Sequence, residues 1–213
     1  MTKKTVWRTA YAEVRRPMKC IVALLIAILC CAVYPSDIES YPMHPAGAKM
    51  PAEVTLTEHY LRFIPTVVQI ALPVVLGDKV GMAQLVYAGI STTIVTHGVK
   101  HLMNDRWVMG TRLGRRPASA TSRHNMPSGH SSMVSCAIWF IGRRYSFRLA
   151  LALSIFMLLT MYARVMLNDH TISAVIAGAL VGFMCTALFT SPWRKRLPAP
   201  RLAPAAGQAP STI

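Results

Sequence analysis

The chain has 213 residues, of which 53% are hydrophobic and only 15% are charged, and its formal net charge is +15. Soluble domains average about 25% charged residues, so this composition argues against an ordinary soluble enzyme. It also argues against a disordered chain, which needs low hydrophobicity, and it is too apolar for a polybasic nucleic-acid binder. An integral membrane protein with basic loops fits both the apolar content and the charge.

Six apolar runs are predicted to cross the membrane as helices, at 20–34, 61–76, 80–99, 131–141, 147–165 and 171–190. The first follows a basic leader without a small-residue cleavage site after it, which indicates a retained signal anchor. The second contains Pro65 and Pro73 and is predicted to be kinked. The fourth reaches spanning length only if its helix starts near Ser128. The expected fold is therefore an all-α, six-span transmembrane helix bundle.

Basic residues determine the predicted orientation of the bundle. With both termini in the cytoplasm, 14 of the 23 Lys and Arg residues lie on the cytoplasmic side, as the positive-inside rule requires. The predicted organisation is a basic cytoplasmic leader at 1–19, a six-helix domain at 20–192, and a basic, then Pro/Ala-rich, disordered cytoplasmic tail at 193–213. The predicted outer loop from Lys100 to Arg123 breaks the rule with six basic residues and one acid, which indicates an anionic ligand.

The tetrapeptide Pro-Ser-Gly-His at 127–130 stands directly before the fourth run. A helix that begins there presents free N–H groups and the positive end of its dipole to an anion. The Ser128 hydroxyl adds a donor, and the His130 ring can reach the same anion. On its own, the tetrapeptide is also typical of a simple helix cap, because Ser is a common N-cap residue.

A second pair of residues joins the fifth and sixth runs. Arg164 ends one run and His170 begins the next. A guanidinium offers a planar fork of donors that suits phosphate, and an imidazole can attack phosphorus or carry a proton. Alone, Arg164 also fits an interfacial residue whose charge reaches toward water. Together, two histidines, a helix-terminal Ser-Gly and several cations predict a phosphoryl-transfer site that needs no metal.

The order of these residues resembles the type 2 phosphatidic acid phosphatase superfamily, whose pattern is K-x6-R-P, then P-S-G-H, then S-R-x5-H-x3-D. The matching pieces are Lys100 with Arg116-Pro117, the tetrapeptide at 127–130, and Arg164-x5-His170, within roughly 100–178. The resemblance implies that His170 is the nucleophile, which forms a phosphohistidine, and that His130 protonates the leaving group. It implies that the phosphate is held by these residues: Lys100, Arg116, Ser128, Gly129 and Arg164.

The first motif departs from the family pattern in its spacing. Fifteen residues, rather than six, separate Lys100 from Arg116. Lys100 belongs to the site if the intervening residues form an inserted loop. Otherwise a nearby arginine takes its role, the candidates being Arg106, Arg112 and Arg115.

The third motif lacks two of its residues. Ala163 replaces the Ser before Arg164, and Ala174 replaces the Asp expected four residues after His170. On a helix, that Asp would share a face with the histidine and orient its ring. The candidates to replace it are Asp169, Asn168 and Ser173.

The resemblance implies a bacterial inner-membrane hydrolase whose active site faces the periplasm and whose partners are the bilayer and a phosphorylated lipid. No cofactor, metal ion or nucleic acid is expected. His97 and His101 have the spacing of two metal ligands on a helix, but no third ligand is evident. The Arg-rich stretch at 106–123 is similar to bacterial lipid A phosphatases, so lipid A phosphate ranks first among the substrates, before undecaprenyl diphosphate, phosphatidylglycerol phosphate and phosphatidate. The alternatives are a phosphotransferase with the same site, or a catalytically impaired lipid-phosphate binder, which Ala174 would favour.

Overall fold

The computed structural model describes residues 2–41, 43–45 and 49–193. Except for Trp193, the predicted tail therefore lies outside the described residues. Within those ranges the chain is mostly helical, which confirms the all-α class. Its elements, in chain order, are α1 (Lys3–Ala12), α2 (Met18–Val33), α3 (Ala52–His59), a 3₁₀ turn (Leu61–Phe63), α4 (Ile64–Val75), α5 (Lys79–Met103), the two-residue strands β1 (Trp107–Val108) and β2 (Thr111–Arg112), α6 (Gly129–Arg144), α7 (Phe147–Met166) and α8 (Ile172–Ala187).

Helix α6 lies at the centre of the bundle and packs against α8, α7, α5 and α4. Its apolar face buries Val134, Ile138 and Ile141 against α7. On the side toward α8 the contact is between small residues, since a Cβ on Gly182 would overlap the Ser135 hydroxyl and the Ser132 carbonyl. Small side chains of this kind let two helix backbones approach closely in a membrane protein.

Apolar side chains cover much of the outer surface. On α7, Leu151, Ile155 and Leu158 are exposed along one helical face. Only α7 is both long and apolar enough to cross a bilayer by itself among the described helices, whereas Met18–Val33, Leu61–Val75 and Ile172–Ala187 are shorter apolar helices. The six spans therefore stay a prediction.

Some local features of the structure agree with the predictions from the sequence, and others differ from them. Ser128 is the N-cap residue of α6, where the fourth run was predicted to start, and Pro73 lies inside α4. The predicted second span is divided, because Leu61–Phe63 form a 3₁₀ turn before α4 begins. Helices α1 and α3 were not predicted, because they are too short or too polar to read as spans.

A buried ion pair joins the helices at the end of the bundle opposite Ser128. Arg144, at the end of α6, donates from Nε and Nη2 to the two carboxylate oxygens of Asp78, at 2.6 and 2.8 Å. Its Nη1 donates to Gln84 Oε1 at 2.9 Å and to the Ser191 carbonyl at 2.8 Å. The Tyr145 hydroxyl donates to the same carboxylate at 2.9 Å. The network connects the start of α5 and the segment that follows α8 to the end of α6.

Replacement of Arg144 by Met should destabilise the protein strongly, because Asp78 would stay buried without its cation. Breaking one side of a buried pair costs about 3–5 kcal/mol. Thermal unfolding of the purified protein in detergent measures the effect, with Arg148→Met, an exposed arginine on α7, as the matched control. An unfolding temperature for Arg144→Met equal to that of the control would show that the pair does not stabilise the fold.

Candidate active site

Polar side chains from four parts of the chain meet at the end of the bundle where α6 begins. Lys100, in the last turn of α5, places its Nζ 4.0 Å from the position that a Cβ on Gly129 would take. The Ser128 amide donates to the Ala174 carbonyl of α8 at 2.9 Å. The electrostatic neighbours of His170 are Lys100, Arg164 and Arg116. The structure thus brings together the residues of all three predicted motifs.

His170 is 2% exposed and is oriented by a backbone carbonyl. Its Nδ1 lies 2.7 Å from the Asn125 oxygen. Because a carbonyl only accepts hydrogen bonds, Nδ1 carries the proton, and the lone pair of Nε2 is left free. The Asn125 side chain accepts from the Thr171 amide at 3.0 Å and donates to its hydroxyl at 3.2 Å, so one residue fixes both the ring and its backbone.

None of the three candidates for the missing Asp orients His170. Asn168 binds the backbone of His44, and Ser173 binds Ser36. Ala174 is fully buried in an apolar cluster with Leu113, Met126 and Ala177. The Asn125 carbonyl takes the orienting role, and sequence reasoning missed it because Asn125 lies outside every motif of the family pattern.

Asp169 belongs to the site, but it binds the arginines. Its two oxygens accept from Arg164 Nη2 at 2.5 Å and from Arg116 Nη1 at 3.4 Å. Arg164 Nη1 donates to Glu58 at 2.9 Å. The Nε atoms of Arg116 and Arg164 are buried and have no hydrogen-bond partner. Arg116 is therefore held through one nitrogen and Arg164 through both Nη atoms, and each guanidinium keeps its Nε as a donor without a partner.

The Ser128 hydroxyl does not cap α6. Ser128 is fully buried, its side chain makes no capping bond, and its Oγ has no hydrogen-bond partner. The simple cap interpretation of the tetrapeptide is therefore wrong for the side chain. A buried hydroxyl and two buried guanidinium Nε atoms without partners form a set of donors suited to the oxygens of a phosphate.

The long first-motif spacing is accommodated by the β1–β2 hairpin and the loop that follows it. This insertion returns Arg116 to the cluster beside Lys100, which is 8% exposed. Arg112 and Arg115 were expected to support the site, and the structure places them elsewhere. Arg112 donates to the carbonyls of Ala120 and Ser122 at 2.9 and 2.8 Å. Arg115 pairs with Glu39 at 2.9 Å.

His130 has two charged neighbours that the motifs do not include. Arg62 Nη1 lies 3.1 Å from His130 Nε2, and the same nitrogen pairs with Glu58. Glu58 is on α3 and Arg62 on the 3₁₀ turn, roughly seventy positions before His130 in the chain. The only available signal was their place in a predicted outer segment, which did not connect them to the histidine.

Burial and nearby cations affect the charge of His170, the nucleophile that the family resemblance implies. Burial, followed by the positive charges of Lys100, Arg164 and Arg116, holds the pKa of His170 well below its ordinary value, although its bond to Asn125 acts in the opposite direction. The ring is therefore neutral at pH 7, as attack on phosphorus requires. Protonation would remove the nucleophile only when the pH falls well below the usual histidine range.

Residues 81–197, more than half of the chain, match the PAP2 superfamily. The chain belongs to the PAP2 superfamily. It is 41% identical to a lipid A 1-phosphatase of Helicobacter pylori over 82% of this chain and 88% of the relative. The same enzyme from a second strain is 42% identical over equal shares. A lipid A 4'-phosphatase of this species is 30% identical over 84% of the chain and 87% of the relative.

No solved structure matches the chain. The superfamily and the relatives confirm the predicted resemblance. They also confirm the predicted class of enzyme, which is a phosphatase.

The His170 ring should stay neutral across the range in which an ordinary histidine titrates. In NMR spectra of protein labelled with ¹³C at histidine, the signal that disappears in His170→Ala should not move between pH 8 and about 6. The control is the same protein unfolded in denaturant, in which the His170 signal should shift with the pKa of an ordinary histidine, about 6.5. A midpoint near 6.5 for His170 would contradict the effect of burial and cations.

Gly178→Ala should disturb the start of α6. The new Cβ would lie 3.0 Å from the Ser128 nitrogen and closer still to its carbonyl oxygen, so the helix end must move. A displacement near 1 Å at a catalytic site costs up to about 100-fold in rate, and we expect kcat/KM for phosphate release to fall at least tenfold on that basis. Gly98→Ala is the control, since nothing lies within 4 Å of its Cβ position. Equal rates for the two variants would show that the contact does not place Ser128.

Proposed function

We propose that the protein is a membrane-embedded lipid phosphatase that hydrolyses a phosphomonoester or diphosphate through a phosphohistidine. The observation that carries this proposal is the His170 ring, which is buried, neutral and held at Nδ1 by Asn125. Its free Nε2 stands among the cations of Lys100, Arg116 and Arg164. A nucleophile and a set of anion-binding groups are what phosphoryl transfer requires.

In the first step, the Nε2 lone pair of His170 attacks phosphorus and the bond between phosphorus and the lipid oxygen breaks. His130 gives its proton to that leaving oxygen. Arg116, Arg164 and Lys100, together with the Ser128 hydroxyl and the first amides of α6, bind the other phosphate oxygens. Their donors are already in place, so charge that develops during the reaction is stabilised without rearrangement.

In the second step, water hydrolyses the phosphohistidine. His130, now neutral, takes a proton from the water, whose oxygen attacks phosphorus while the bond to His170 Nε2 breaks. Inorganic phosphate leaves, and both histidines return to their starting states. The Asn125 carbonyl holds the Nδ1 proton through both steps, so the same nitrogen is presented each time.

We place the site at the outer, periplasmic ends of six spans, with both termini in the cytoplasm. The cationic cluster and the Asp78–Arg144 pair lie at opposite ends of the antiparallel helices α5 and α6. The exposed apolar faces, such as that of α7, suit contact with lipid. A site at the helix ends meets the head groups of the outer leaflet directly.

We rank the phosphate of lipid A first as the substrate, and its 1-phosphate before its 4'-phosphate. The support is the higher identity to the lipid A 1-phosphatases, 41% against 30% for the lipid A 4'-phosphatase. The other substrates to compare are undecaprenyl diphosphate, phosphatidylglycerol phosphate and phosphatidate. Addition of a lipid acceptor to the assay separates the two reactions, because hydrolysis releases inorganic phosphate whereas phosphotransfer gives a phosphorylated acceptor.

His170→Ala should abolish phosphate release, and the release by the unchanged protein should survive EDTA. His130→Ala should retain a residual rate, since general acid catalysis contributes about 100- to 10,000-fold. The assay measures inorganic phosphate released by detergent-purified protein from each lipid of the panel, with His59→Ala, an exposed histidine of α3, as the control. Full activity of His170→Ala would contradict the mechanism, and inhibition by EDTA would contradict its independence of metal.

A further inference from the structure

Glu58 is the carboxylate that connects the phosphate-binding arginine to the general acid. Its Oε1 accepts from Arg164 Nη1 at 2.9 Å and also from Arg62 Nη1. The same Arg62 nitrogen lies 3.1 Å from His130 Nε2. Glu58 thus contacts Arg164 directly and is connected to His130 through one residue, Arg62.

Helix α3 holds Glu58 firmly enough for this role. It packs against α7, the helix that carries Arg164. Val54 and Thr57 are almost fully buried in that contact. The carboxylate itself is mostly enclosed, and its Oε2 is buried without a hydrogen-bond partner. One oxygen is therefore engaged by two guanidinium groups, while the other keeps an acceptor position without a partner.

Positive charges surround the His130 ring on several sides. Arg62 approaches from the 3₁₀ turn, Arg164 from α7 and Lys100 from α5, and Glu58 is the acid that acts against them. The other two helices packed on α6, which are α4 and α8, carry no charged residue. Burial first, and then the three cations, disfavour the protonated imidazole and lower the pKa of His130, whereas the Glu58 carboxylate acts in the opposite direction. The general acid must hold a proton before it can give one away.

We propose that Glu58 is a positioning residue of the phosphatase, which holds Arg164 and Arg62 and keeps His130 able to carry its proton. This inference rests on the proposed function. It assigns two opposed effects to one carboxylate. The charge helps His130 to protonate the leaving group, and it partly cancels the attraction of the arginines for phosphate.

Glu58→Gln separates the two effects because the amide keeps the shape of the side chain and loses its charge. We expect kcat near neutral pH to fall about tenfold, and the basic limb of the pH–rate profile to move about one unit toward lower pH, as loss of a neighbouring opposite charge predicts. Inorganic phosphate, added as a competitive inhibitor, should bind more tightly than it does to the unchanged protein. Glu58→Asp, which keeps the charge, should recover the pH profile at least in part.

The matched control is Glu53→Gln, on the exposed side of the same helix, which should leave rate, profile and phosphate inhibition unchanged. If Glu58 had a merely structural role, its replacement would weaken phosphate binding and turnover together without moving the pH profile, and that result would overturn the inference. A Glu58→Gln variant that behaves like the control would also overturn it. If Glu58→Gln does not fold, Glu58→Asp decides: its pH profile should stay close to that of the unchanged protein while kcat falls, because the charge is kept and the contacts with the arginines are lost, and a profile that moves toward lower pH although the charge is kept would contradict the role. Absence of phosphate release by the unchanged protein would instead contradict the proposed function.

Discussion

The close contact between α6 and α8 determines where both histidines stand. Gly178 and Gly182 have no side chain to separate the two helices, and the Ser128 backbone lies directly against Gly178. The Ser128 amide is bonded to the Ala174 carbonyl, which fixes the start of α6 relative to the start of α8. His130 follows on one helix and His170 precedes the other. The relative position of the two histidines therefore depends first on backbone contact between the helices, and polar side chains then orient the groups around them.

The two ends of the bundle use charge in different ways. At one end Arg144 and Asp78 satisfy each other almost completely, with every strong donor of the guanidinium in use. At the other end Arg116 has one carboxylate partner and Arg164 has two, and each leaves a buried Nε without a hydrogen-bond partner. A fully paired arginine stabilises a structure, whereas a half-paired one is prepared to bind an anion. The same residue type thus serves the fold at one end and the site at the other.

Sequence alone could predict the helical class, the start of α6 and most of the cationic residues and histidines that meet at that end of the bundle. These follow from apolar runs and from motifs in which a few residues stand near one another in the chain. Sequence could not identify Asn125, Glu58 or Arg62, because the motif residues that they contact are 45 or more positions away. Sequence reasoning also expected Arg112 and Arg115 to support the site. A basic loop does not reveal which of its arginines bind elsewhere, as Arg112 binds carbonyls of its own loop and Arg115 binds Glu39.

Ala174 was the strongest sequence argument for a protein that binds lipid phosphate without turnover. An Asp at that position would orient the histidine through a carboxylate. The Asn125 carbonyl provides the same acceptor at 2.7 Å, and it does so without adding a negative charge beside the phosphate-binding cations. The ring is fixed in the tautomer that leaves Nε2 free, and the positive field around the nucleophile is not reduced. The absence of the family Asp is therefore compatible with the proposed catalysis.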